Sequence, residues 1–196
     1  MGFKICLDNP ECLGYPYNML IGPKNWQIAL HALDEALVDR KMKRDLIVCG
    51  GSALLILDVI DRETRDVDVI SPDVDIQLKE ASLEVAKKLS LPHDWINDGP
   101  KNLANELLID WRKRVDLLFQ GRALTLQVLG RIDLIATKIY AFCDREDDFQ
   151  DVLKLKPNSQ ELEGVYAWVL ERDASAYWPE RVDACFARLR KTLYGR

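Results

Sequence analysis

The sequence predicts an α/β (α+β) protein: a small mixed β-sheet with flanking helices, followed by a helical C-terminal part. Three observations carry this expectation. Residues 46 to 70 read as an apolar strand, a Gly-Gly-Ser turn, an apolar helix and a second strand. Residues 115 to 129 hold two short apolar runs split by Gln120-Gly121-Arg122, which is hairpin spacing. From Arg131 onward the apolar residues recur only at helical spacing. The expected parts are an irregular extension over 1–22, an α/β core over 23–130 and a helical region over 131–196.

Composition narrows the function classes. Hydrophobic residues at 48% and charged residues at 30% of 196 suit a globular domain with one core. No apolar run has the length of a bilayer span, and the start of the chain lacks the apolar centre of a secretion signal. The expected location is the cytoplasm, with no membrane partner. The five cysteines form no Cys-x-x-Cys pair and there are two histidines, so a disulfide framework or structural zinc site is not expected. Cys49, Cys143 and Cys185 lie on apolar faces and read as buried small hydrophobes. A net charge of −5 argues against a general nucleic-acid coat.

In order, residues 1–22 hold Pro10, Gly14 and Pro16, with Tyr15 and Tyr17 as candidates to pack on the core. A first helix starts near Pro23, where proline suits the first turn, and ends near Met42. Trp26, Leu30, Leu33 and Leu37 mark its apolar face. Leu46 to Cys49 is a buried strand, Ala53 to about Ile60 a helix, and the next strand carries Asp66 to Ile70. So short a connection leaves their relative direction open. Pro72, between Ser71 and Asp73, opens a helix reaching about Ser90. A turn-rich loop over 91–100 precedes a short helix from Lys101 to Leu108. Beyond the hairpin, Ile132, Ile135, Ala136, Ile139 and Cys143 define one helix face. A short helix around Phe149 to Leu153 stops at Pro157, Asn158 and Ser159 are caps for the next, and the last starts after Pro179.

Two constellations carry chemistry. Gly50-Gly51-Ser52 closes the first strand and opens a helix. Glycine lets the backbone approach a phosphate closely, and a helix start offers free amides. Alone, the turn reads as an ordinary strand-to-helix junction with Ser52 as N-cap. It is not a P-loop, since no lysine follows at the required spacing. Asp66 and Asp68, fourteen residues on from Ser52, are two apart on a strand and so share one face. Two like charges on one face are costly unless a cation lies between them. Together the two blocks make a site for a divalent metal and a polyphosphate. Trp95 and Asn97 could border a base pocket, with Trp95 otherwise a loop anchor.

These residues resemble the motif of the nucleotidyltransferase superfamily of the DNA polymerase beta type: a glycine-serine turn, a helix, then Asp-x-Asp on the next strand. A second block strengthens the likeness. Asp133 to Val152, with Lys138, Arg145, Asp148 and Asp151, is similar to the late motif of bacterial minimal nucleotidyltransferases. That group includes the DUF6036 proteins and the AbiEii-type toxins of toxin–antitoxin systems. The resemblance spans roughly residues 44 to 156.

It implies an Mg2+ (or Mn2+) dependent transfer of a nucleoside monophosphate from an NTP to an acceptor hydroxyl. Gly50, Gly51 and Ser52 would hold the phosphates, with Thr64 and Arg65 as further nucleotide-binding candidates. Asp66 and Asp68 would bind the metal. Lys138 would offset phosphate charge, and Asp148 or Asp151 would orient it or approach the metal. Many members carry a third carboxylate on a later strand. Here Gln127 takes that inward position, and Asp116 is the other candidate for a metal ligand. The implied partners are an NTP, an RNA, tRNA or protein acceptor, and a cognate antitoxin or operon partner. The alternative is a catalytically inactive nucleotidyltransferase-fold protein that binds nucleotide or a partner protein. An aminoglycoside-type transferase is a third option, and would require an acidic drug pocket.

Overall fold

The computed structural model describes residues 20–195. Tyr15, Tyr17, Cys6 and Cys12 lie outside the described residues. The elements are α1 (Trp26–Asp39), β1 (Arg44–Cys49), α2 (Gly50–Ile56), β2 (Val67–Ser71), α3 (Ile76–Leu89), β3 (Ile96–Asn97), β4 (Asp116–Gln120) and β5 (Leu124–Val128). Four helices follow: α4 (Arg131–Arg145), α5 (Phe149–Leu155), α6 (Ser159–Leu170) and α7 (Trp178–Tyr194). Short 3-10 segments, Gly99–Asn105 and Trp111–Arg114, join β3 to β4. The expected mixed sheet with helical flanks is present, and the elements end within a few residues of their predicted bounds.

The five strands form one mixed sheet in the order β3-β2-β1-β5-β4. The direction left open by the sequence is antiparallel: β1 and β2 pair with Cys49 opposite Asp68. A seven-residue helix spans about 10 Å, roughly half of β1, so α2 and its loop return the chain to the same end. β1 pairs in parallel with β5, and β2 in parallel with β3. The β2–β3 pair sets Asn97 beside Asp68.

The core is apolar where periodicity predicts it. Leu30, Leu33 and Leu37 of α1, Leu46 and Val48 of β1, and Ile135, Ile139 and Phe142 of α4 are buried. Cys49, Cys143 and Cys185 are buried free thiols. Trp95 is an anchor, fully buried with its indole N–H donating to the Ser82 carbonyl at 2.9 Å. Asn158 caps α6 in a reciprocal capping box with Glu161.

Asp34, on α1, is buried and charged, and the sequence pattern did not mark it. Its carboxylate accepts the backbone N–H groups of Arg122, Ala123 and Leu124 at 3.1, 2.7 and 2.8 Å. It therefore closes the turn between β4 and β5. Among the described residues no helix is long and apolar enough to cross a membrane.

Candidate active site

The site begins where β1 ends. Gly50 has a φ of +74°, a conformation that suits glycine, and a Cβ there would lie 2.4 Å from Asp68 Oδ2. The turn and the second carboxylate thus meet directly. Ser52 does not cap α2: Cys49 holds the N-cap position. Ser52 is buried inside the first turn, and its hydroxyl donates to the Cys49 carbonyl at 3.5 Å.

Asp66 precedes β2 by one residue and Asp68 lies within it. Both are half-buried. Burial pushes the Asp66 carboxyl above its ordinary value, and the Asp94 charge adds to this against Arg65. Burial and then repulsion from Asp66 raise Asp68, against an Asn97 hydrogen bond and the charges of Lys138 and Arg145. Both carboxylates are therefore short of positive charge. With hard oxygen donors, they are the residues that could hold a divalent cation such as Mg2+ or Mn2+. Asn97 supplies the adjoining side-chain amide, whose oxygen Oδ1 accepts from the Gly99 N–H at 2.9 Å. Among the described residues no group of three His, Cys, Asp or Glu side chains gathers around a metal position. Cys49, beside the turn, is a poor nucleophile, because burial and the Asp68 charge push its thiol up to about 12 despite Lys138.

The late block comes to the same place from the helical side. Lys138 on α4 is buried and donates to Asp148 at 2.5 Å and Asp151 at 2.7 Å. Asp148 and Asp151 are themselves buried. Asp148 holds the N-cap position of α5 but caps nothing with its side chain. Its other oxygen accepts from Arg145 at 3.1 and 3.2 Å. Asp151 also accepts from Arg62, at 2.8 Å, across 89 residues of sequence. Burial works to raise the Asp151 carboxyl, but Arg62 and Lys138 outweigh it and hold it below its ordinary value. Three cations and two carboxylates thus form one chain of ion pairs.

Between these blocks lies a cavity of about 380 Å³. Gly50, Asp68, Lys138, Arg145 and Asp148 line it. Leu103, Glu106, Tyr140 and Arg172 line it as well. The helical region holds that wall in place. The Trp168 indole N–H donates to the Glu106 carbonyl at 2.6 Å, and Arg172 donates to the same carbonyl and to the Glu106 carboxylate.

The remaining candidates differ in their placement. Thr64 is buried, and its hydroxyl donates to the Asp66 carbonyl at 3.4 Å, under the glycine turn. Arg65 is exposed and paired with Asp94. Asp116 is exposed on the edge strand β4, with β1 and β5 between it and β2. Three strand spacings put it about 14 Å away, so the structure does not bring it to the Asp pair. Gln127 sits on β5 opposite Ile47. Sequence reasoning missed Arg62 as the partner of Asp151 and Asn97 as the partner of Asp68. A cation close ahead of the Asp pair was the only signal for the first, and β3 has just two residues to announce the second.

No curated protein and no solved structure matches the chain. Residues 28–179 match a family described as "Nucleotidyltransferase of unknown function (DUF6036)". That span takes in the sheet, the glycine turn, both Asp positions and the Lys138 cluster, and on it the chain belongs to the DUF6036 nucleotidyltransferase family.

Proposed function

We propose that the chain is an Mg2+ (or Mn2+) dependent nucleotidyltransferase that moves a nucleoside monophosphate from an NTP to an acceptor hydroxyl on RNA or protein. The observation that carries this reading is the close approach of Asp68 to Gly50 in the lining of a cavity that Lys138 and Arg145 also line. Asp66 and Asp68 would hold the metal, which would supply counter-charge to the phosphates. The backbone at Gly50 and Gly51 leaves room for a phosphate chain, and the Lys138 cluster offsets its charge. The nucleoside would lie along the Leu103 and Tyr140 walls. The acceptor hydroxyl oxygen bonds to the α-phosphorus and gives up its proton to water, the bond from the α-phosphorus to the bridging oxygen breaks, and pyrophosphate leaves.

The test is a labelled-NTP transfer assay with each of the four nucleotides, offered total tRNA in one arm and protein extract in the other. Label is expected to pass to a macromolecule with Mg2+ present. Asp66→Asn combined with Asp68→Asn is expected to abolish it. Transfer that survives both substitutions would sink the metal assignment. A tRNA acceptor would fit a toxin held by a cognate antitoxin, which an operon partner could supply.

One observation favours a second reading, a catalytically silent nucleotide binder. The strand position beside Asp68 carries an amide, Asn97, and no third acid gathers there among the described residues. Thermal stabilisation by each NTP separates the two. A silent binder gains the same stability with and without Mg2+, whereas the enzyme gains it only with the metal.

A further inference from the structure

Lys138 and Arg145 both line the cavity beside Asp68, and both could meet a triphosphate. Their surroundings differ. An ammonium has three donors. Lys138 spends two of them on buried carboxylates, and its side chain is 8% exposed. Its charge is more than offset by Asp148 and Asp151, and Arg62, whose guanidinium lies beside Gly51 and pairs with Asp151, completes the balance. Those four groups sum to zero. Arg145 is the charge left over.

Its guanidinium touches one oxygen of Asp148, and its side chain is 61% exposed. A planar guanidinium has five donors, so one carboxylate oxygen leaves several for a phosphate. Arg145 also ends α4, seven residues on from Lys138 and on the same helix face.

Resting on the nucleotide reading above, we propose that Arg145 is the side chain that binds the polyphosphate. Lys138 is then a positioning residue. It ties α4 to α5 through Asp148 and Asp151, and Arg62 ties the same cluster to the loop ahead of Asp66. Asp148 holds Arg145 in the cavity lining and yields it to the ligand.

Inorganic tripolyphosphate with Mg2+ tests this without knowledge of the base. Binding is measured by calorimetry on the whole chain, beside the four NTPs. Arg145→Gln is expected to weaken tripolyphosphate binding about tenfold or more, the scale of a charge-assisted contact. Arg145→Lys is expected to recover part of it. Asp148→Asn, which frees the guanidinium, is expected to tighten binding, and the gain is expected to vanish in Asp148→Asn with Arg145→Gln. A merely structural Arg145 predicts weaker binding when its partner is removed. Wild-type affinity in Arg145→Gln would overturn the assignment. So would NTP binding by the wild type without tripolyphosphate binding, which leaves the nucleotide reading intact. Binding of neither ligand would overturn both.

Discussion

The Asp68 carboxylate occupies the space that a Cβ at Gly50 would fill, with Oδ2 2.4 Å from that position. Gly50 also holds a φ of +74°. A side chain there meets two penalties, backbone strain and displacement of the acid. Gly50→Ala is expected to cost about 1–3 kcal/mol of stability by urea unfolding and to abolish Mg2+-dependent stabilisation by NTP. Gly51→Ala is the control for stability alone, since the Gly51 backbone is itself proposed to face the phosphates. Its Cβ would meet Arg62 and Thr64 at 3.6 Å, an ordinary contact, and its φ lies outside the left-handed region. Equal losses of stability in both variants would show that the Gly50–Asp68 approach is not what couples turn to carboxylate.

The raised Asp68 carboxyl makes a prediction about pH. Between its ordinary value, 3.8, and the higher folded value, the folded chain holds more protons than the unfolded one. Stability therefore falls as pH rises through that window, and the full cost is present above it. Without divalent cation, Asp68→Asn is expected to be more stable than the wild type at neutral pH. The advantage is expected to disappear below 3.8, where both chains are neutral at this position. Added Mg2+ is expected to stabilise the wild type and not the variant. A less stable Asp68→Asn at neutral pH would mean that the carboxylate is satisfied without a metal.

Asp151 behaves in the opposite sense. Its folded value is depressed, so its contribution is present above 3.8 and is lost as pH falls through the folded value. Asp151→Asn removes the carboxylate that joins Arg62 to Lys138, and one partner of a buried pair costs about 3–5 kcal/mol to remove. The exposed Arg62 lowers its own share of that figure. Urea midpoints across a pH series should show a large gap at neutral pH that narrows in acid. A gap independent of pH would point to packing rather than charge.

Asp34 and Gly121 form a second close approach, at the other end of the sheet. A Cβ on Gly121 would lie 2.2 Å from Asp34 Oδ1. Burial would raise this carboxyl, but the amides of Ala123, Leu124 and Arg122 hold it below its ordinary value. Asp34→Ala strands those buried donors and is expected to cost about 2–4 kcal/mol. Gly121→Ala is expected to destabilise by pushing the carboxylate off the turn. The two costs should not add in the double variant, since both break the same contact. Full additivity by denaturant unfolding would refute the coupling.

Much of the frame was legible because periodicity is a local property. The face of α1, the β4–β5 hairpin, the apolar stripe of α4 and the Asn158 cap each follow from residues a few positions apart. The two blocks of the candidate site were legible for the same reason, since each is compact in sequence. What joins them was not. Asp68 against Gly50, Asn97 beside Asp68, and Arg62 on Asp151 are contacts across 18, 29 and 89 residues. Strand order also decided which acid could reach the pair, leaving Asp116 on an edge strand that local pattern cannot distinguish from an inner one. The division between Lys138 and Arg145 is tertiary as well. Both are cations on one helix face, and only the carboxylates packed around each decide which charge is already balanced. By itself, then, the sequence determined the secondary elements and the chemical types in each block. The pairing of β2 against β1 and the docking of α4 and α5 decided which of those groups meet, because charge balance and burial depend on neighbours distant in the chain.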